Sequence, residues 1–132
     1  HYQVTGSDTS WVFLDRYQEM HPAAHLMRMD AETIQTSLKF DGIYSNKVLH
    51  HLSPDQLQAS FLRQNAVLRP LGITLHSFWL GDRKEVMHGL LFRYYPEHFL
   101  HSLVEPFFTI LESTIYAEFK DHDSLYLILK KA

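Results

Sequence analysis

The sequence predicts an α/β fold: a Rossmann-like, mostly parallel sheet closed by a C-terminal antiparallel hairpin. Three observations lead there. Short apolar runs alternate with amphipathic segments over residues 3–80, in the order strand, helix, strand, loop, strand, helix, strand. Alternation of this kind implies parallel strands joined by right-handed crossovers. Two β-rich runs near the end, 107–119 and 125–129, flank the polar stretch KDHD, which marks a hairpin loop on an otherwise parallel sheet. No Gly/Ser-rich or Pro-rich linker divides the 132 residues, so a single domain over 1–132 is expected.

The elements follow in order. Gln3 to Ser7 reads as a strand broken at Gly6, and Asp8-Thr9-Ser10 as a helix N-cap cluster. Trp11 to Met20 is the first helix, with Phe13, Tyr17 and Met20 on one face and Pro22 closing it. His25 to Met29 is a second strand, leading into the polar loop Asp30-Ala31-Glu32-Thr33. Asp41 to Ser45 is a third. Ser53, Pro54 and Gln56 then give the strongest helix start in the chain, an S-x-x-Q capping box with proline at the first helical position. Leu57, Phe61, Leu62 and Leu68 supply its apolar stripe, and Arg69-Pro70-Leu71-Gly72 ends it. Ile73 to Leu80 is a buried fourth strand, Gly81 to Gly89 a polar loop, and Pro96 to Val104 the last helix.

Composition excludes several classes. At 45% hydrophobic and 20% charged the chain is not a disordered one. No run approaches the ~18 apolar residues of a membrane span, and HYQVTGSDTS lacks the layout of a signal peptide. A net charge of −3 argues against nucleic acid as a partner. The absence of cysteine removes disulfides and thiolate chemistry, and fits a cytoplasmic protein. Charge is uneven: residues 1–41 hold six acids against three bases, while 42–132 balance at nine against nine. The acidic third is therefore the place to seek a ligand's hydroxyl or amino groups.

Open α/β sheets bind ligands beyond the carboxyl ends of their parallel strands. Asp8, Asp30 and the pair Ser45-Asn46 all fall there. An acid at such a position accepts hydrogen bonds from ribose hydroxyls or an adenine amino group; equally, Asp8 reads as an N-cap and Asp30 as a turn residue.

The stretch FDGIYSNKVLHHL (Phe40 to Leu52) resembles the motif after the fourth strand of class I S-adenosylmethionine-dependent methyltransferases, and VLRPLG (Val67 to Gly72) resembles their LxPGG exit with Leu71 in place of one glycine. VTGSDTS (Val4 to Ser10) and MDAET (Met29 to Thr33) resemble the family's strand-2 and strand-3 motifs. The four occur in family order over about residues 2–80. The resemblance implies S-adenosyl-L-methionine as methyl donor, with Asp8 on its ribose hydroxyls beside Thr9, Asp30 on the adenine amino group, the Ala31 amide on the ring, and Ser45 and Asn46 at the methionine end. It implies in-line methyl transfer to a small-molecule acceptor, driven mainly by positioning, with acceptor deprotonation where needed. His51 is the one candidate base, or else a packed histidine that stabilises its loop.

One family part is missing from the sequence. The glycine-rich loop after the first strand, ExGxGxG in type, lets backbone approach the methionine moiety; here the only early glycine is Gly6. In the family order 3-2-1-4-5-7-6, that strand lies between strands 2 and 4. The expectation is a truncated methyltransferase domain that binds its cofactor weakly alone. Direct pairing of strands 2 and 4, or a homodimer through the exposed sheet edges, would otherwise close the gap. The alternative function is a non-catalytic interaction or dimerisation module.

The remaining histidines show no metal motif. His98 and His101 share a helix three residues apart, and His21 and His25 are separated by Pro22; surface or loop roles are expected for these. Phe92, Tyr94, Tyr95 and Phe99 form an aromatic cluster suited to a substrate lid or to core. Arg83 and Lys84 read as solvated loop charges.

Overall fold

A computed structural model describes residues 2–132. The strands and helices are β1 (Thr5–Asp8), α1 (Trp11–Met20), β2 (His25–Arg28), β3 (Phe40–Asn46), a 3-10 turn (Leu49–His51), α2 (Pro54–Val67), β4 (Leu68–Trp79), β5 (Lys84–Met87), β6 (Leu90–Arg93), α3 (Glu97–Val104), β7 (Phe108–Tyr116) and β8 (Ser124–Lys131). β1 and β2 pair in parallel as one two-stranded sheet. β3, β4, β8 and β7 form a second sheet in that order, with β3–β4 parallel and both β8 pairings antiparallel. β1 and β3 do not pair, so the direct pairing of these two strands raised above does not occur.

Local sequence explains the helices. Ser10 caps α1 by accepting the Phe13 N–H. In α2 the Ser53 hydroxyl accepts the Gln56 N–H while the Gln56 side chain accepts the Ser53 N–H, a complete capping box worth about 0.5–2 kcal/mol. α2 lays Leu57 and Phe61 fully into the core, each contributing ~1.5–3 kcal/mol of burial. They meet Phe78 from β4, Leu100 and Val104 from α3, and Leu125, Leu127 and Leu129 from β8. Leu62 points outward instead, and Leu68 belongs to β4. Pro70 disfavours helix just before it, so the chain turns directly from α2 into strand.

Three other elements add to the sequence reading or depart from it. The face of α1 bearing Phe13, Tyr17 and Met20 is exposed, and only Leu14 is buried; the two-stranded sheet beneath offers too little surface for the wider stripe. Gly81 to Gly89 is not a loop throughout, since Lys84–Met87 pairs with Leu90–Arg93. Its two-residue turn, His88-Gly89, has both residues at positive φ, the geometry favoured by tight hairpins. Finally, Arg69 to Gly72 bulges out of β4 opposite Asp41, where the β3–β4 register jumps from Leu68 to Ile73.

Among the described residues no helix is long and apolar enough to cross a membrane.

Candidate functional site

The carboxyl ends of β1, β2 and β3 carry the polar residues singled out above. Asp8 is the last residue of β1 and is exposed. Its Oδ1 accepts the Ser10 N–H at 2.8 Å, and its carbonyl accepts the Met29 N–H at 3.0 Å. Arg28 Nε donates to the Thr9 carbonyl at 3.0 Å, which fixes the loop after β1 against the end of β2. Asp30 is built alike: its Oδ1 accepts the Glu32 N–H at 2.6 Å. Each aspartate thus spends one oxygen on its own loop, and the other has no protein donor among the described residues. Adjacent strand ends therefore present two exposed carboxylates with spare acceptor capacity.

The loop after β2 is held by α2. Ser60 donates to the Ala31 carbonyl at 2.6 Å, and Arg63 donates to the Thr33 and Ile34 carbonyls at 3.1 and 3.0 Å. From Ser60 a buried polar chain runs inward. Gln64 Nε2 donates to Ser60 Oγ at 3.1 Å, Gln64 Oε1 lies 2.6 Å from His76 Nε2, and His76 Nδ1 lies 2.5 Å from Ser45 Oγ. Every direction follows from one end. A carbonyl only accepts, so Ser60 donates to Ala31 and accepts from the Gln64 amide. Gln64 then turns its oxygen to His76, whose Nε2 carries the proton and whose Nδ1 accepts from Ser45. Burial holds the His76 ring neutral, its pKa lowered to about 3. Thr74 Oγ1 completes the cluster, donating to Gln64 Oε1 at 3.1 Å.

Ser45 and Asn46 are thus organised by β4. With its proton committed to His76, the half-buried Ser45 hydroxyl offers only lone pairs to a ligand. Asn46 Oδ1 accepts from Ser77 Oγ, which leaves its exposed amide as a donor. Lys47 follows in the left-handed region at φ 55° and folds back over β4. Its ammonium lies 3.2 Å from the centroid of the Trp79 ring and 2.8 Å from Glu118, and donates to Ser124 at 2.9 Å.

His50 and His51 come from the 3-10 turn and meet the β5–β6 hairpin. His51 Nδ1 donates to the Leu91 carbonyl at 2.9 Å, so in the neutral ring the lone pair resides on Nε2 of an exposed side chain. His50 is buried against Phe92 at a centroid distance of 5.0 Å, and neither ring nitrogen has a partner. Its pKa is lowered to about 4, first by burial and then by the charges of His51 and Lys47.

Tyr95 of the aromatic cluster is core: it is buried and donates to the Leu52 carbonyl at 2.6 Å. Of the helix histidines, His101 hydrogen-bonds Ser113 at 2.8 Å and lies 3.8 Å from Glu97, whereas His98 is exposed. The sequence reading overlooked Gln64, His76 and Lys47. A histidine at an inward position of the apolar run ITLHSFW was the signal available for His76.

A family model described as a methyltransferase domain matches residues 1–72. No curated protein sequence matches the chain. Among solved structures, the chain is similar to Burkholderia thailandensis 1,6-didemethyltoxoflavin-N1-methyltransferase, with bound 1,6-didemethyltoxoflavin and S-adenosylhomocysteine, at 24% identity and a TM-score of 0.80. That match covers 99% of this chain and 62% of the enzyme. A Pyrococcus horikoshii protein matches at 17% identity and TM-score 0.81, covering 99% of this chain and 72% of that one. An S-adenosylmethionine-dependent methyltransferase from Clostridium acetobutylicum matches at 12% and 0.79, covering 99% and 76%. These likenesses establish a shared Rossmann-like fold, and the chain spans less than two thirds of the Burkholderia enzyme.

Proposed function

Since the chain belongs to the methyltransferase-domain family, we propose that it forms the adenosine-binding side and acceptor side of a site for methyl transfer from S-adenosylmethionine to a small molecule. The carrying observation is the pair Asp8 and Asp30. Both are exposed at the ends of adjacent parallel strands, each with one carboxylate oxygen spent on its own loop and the other without a protein donor.

This donor and acceptor set suits the adenosine half of the cofactor. Asp8 accepts from ribose hydroxyls, with Thr9 beside it. Asp30 accepts from the adenine amino group, and the Ala31 amide donates to the ring. At the other end, Ser45 accepts and Asn46 donates toward the methionine portion. When bound, S-adenosylmethionine supplies an electrophilic methyl on sulfur. His51 orients or deprotonates the acceptor through Nε2, its ring fixed by the Leu91 carbonyl. No residue of this chain replaces a glycine-rich loop between β1 and β3, so the methionine half of the site is incomplete.

The reading predicts weak or absent binding of S-adenosylhomocysteine by the 132-residue chain. Tight binding is expected once an upstream glycine-rich strand is joined to it. Calorimetry on both forms decides it, and failure of the extended form to bind would refute the reading. The unpaired edges of β1 and β3 support a second one, a dimerisation module. Sedimentation of the chain alone as a monomer at micromolar concentration counts against it.

A further inference from the structure

Beyond the carboxyl end of β4 lies a cleft of about 480 Å3, between the β5–β6 hairpin and the first turn of α3. Lys84 and Arg93 both line it, and they stand directly opposite each other across the hairpin. Like charges in that relation repel. Among the described residues neither cation has an acidic partner within ion-pair distance. The Arg93 Nε–H is moreover buried with no acceptor. A guanidinium drawn partly out of water without a counter-charge is costly, and an oxyanion in the cleft that Arg93 lines supplies that charge.

The other charges nearby are accounted for differently. Arg83 lies over the Tyr94 ring at 3.9 Å and pairs with Glu85 at 3.1 Å, so its charge is already answered. Asp82 is the one acid in the lining, and His98 adds a titratable group from α3. Tyr95 and Phe99, stacked at 5.3 Å, give the cleft an apolar wall.

We propose that this cleft binds the carboxylate or phosphate of an aromatic or apolar small molecule, with Lys84 and Arg93 as the clamp. Its role as the acceptor subsite rests on the methyl-transfer reading; the anion site itself does not. One short strand then serves two ends of the acceptor. β6 fixes His51 through the Leu91 carbonyl and holds the anion through Arg93, two residues along.

The test is titration of the full chain with inorganic phosphate, benzoate and neutral benzamide, followed by amide and side-chain NMR shifts. At least one anion is expected to bind about tenfold more tightly than benzamide, with shifts at Lys84, Arg93 and Tyr94. Lys84→Gln and Arg93→Gln should each weaken that anion about tenfold. Lys84 is exposed, so its variant keeps the fold. Preference for phosphate or for benzoate identifies the group recognised. Binding of neither anion, or equal binding by the wild type and both variants, overturns the inference. S-adenosylhomocysteine titrated separately into the upstream-extended chain reports on methyl transfer, so the two readings can fail independently.

Discussion

Ser45 Oγ lies 2.5 Å from Nδ1 of His76, across the parallel pair β3–β4. Through Gln64 and Ser60 the same chain of hydrogen bonds reaches the carbonyl of Ala31. Residues expected at opposite ends of one ligand are therefore joined beneath the surface by a one-directional relay. α2 and β4 set the positions of both loops together.

The relay fixes the His76 tautomer. Nitrogen NMR of the ring should show Nε2 protonated and Nδ1 unprotonated from pH 8 down to pH 5. Replacing His76 with Leu leaves the Ser45 hydroxyl without its acceptor and Gln64 Oε1 with Thr74 as its one donor, and should cost about 1–3 kcal/mol in urea unfolding. A loss below ~0.5 kcal/mol would show that the buried groups find other partners.

Two neutral histidines make stability fall on acidification. In the unfolded chain they take up protons near pH 6.5; in the fold His50 does so at about 4 and His76 at about 3. The unfolded state thus binds more protons between these values, and their contribution is full above pH 6.5 and declines as pH drops. His76 alone should cost about 3 kcal/mol by pH 4, with His50 adding in the same direction. Asp123, its carboxyl held low by the N–H groups of Glu118, Lys120 and Phe119, keeps its contribution over this window and loses it only as pH falls below the ordinary carboxylate range. Chemical denaturation between pH 7.5 and 4 measures the slope. His76→Gln should flatten it.

The helices were legible because their ends are written locally: Ser10 and the Ser53–Gln56 box need no tertiary partner to be read. The parallel order and the strand-end acids were legible from alternation and motif. The β5–β6 hairpin was hidden because its turn is His88-Gly89 instead of an asparagine or aspartate pair, and His88 takes positive φ through tertiary context. The relay was hidden for another reason. Ser45, Ser60, Gln64 and His76 lie on three elements, and no spacing rule links them. Phe13, Tyr17 and Met20 were legible as one face of α1, but their exposure was not, because periodicity reports a face and says nothing of what covers it.

The bulge in β4 makes adjacent positions respond with opposite sign. Leu71 is exposed and sits at φ 69°, a conformation that costs a side chain ~1–2 kcal/mol. Leu71→Gly should stabilise the chain by roughly 0.5–1 kcal/mol after the added chain entropy is charged. At Gly72 a Cβ would lie 2.8 Å from the Arg69 carbonyl and 2.9 Å from Leu68 Cδ2. Gly72→Ala should therefore destabilise by about 1–3 kcal/mol. Thermal melts of the two variants test the pair, and a shared sign would contradict the bulge geometry.

Asp8 and Asp30 offer the most direct test of the proposed site, because isosteric amides separate charge from architecture. Asn at position 8 still presents an oxygen to the Ser10 N–H, and Asn at position 30 does the same for Glu32, so both loops should keep their shape. Each substitution replaces the second acceptor oxygen by a donor, which confronts ribose hydroxyls poorly and an adenine amino group worse. A hydrogen bond to a charged acceptor is worth about 1.5–3 kcal/mol, so binding of S-adenosylhomocysteine by the upstream-extended chain should fall about 10- to 100-fold with either variant. The two losses carry different signatures. Asp8→Asn should discriminate against the intact ribose and leave 2′,3′-dideoxyadenosine nearly unaffected. Asp30→Asn should weaken adenosine while sparing inosine, whose 6-oxo group accepts where adenine donates. If both variants lose affinity for all four ligands equally, the carboxylates act by bulk charge alone and the assignment of Asp8 to ribose and Asp30 to adenine fails.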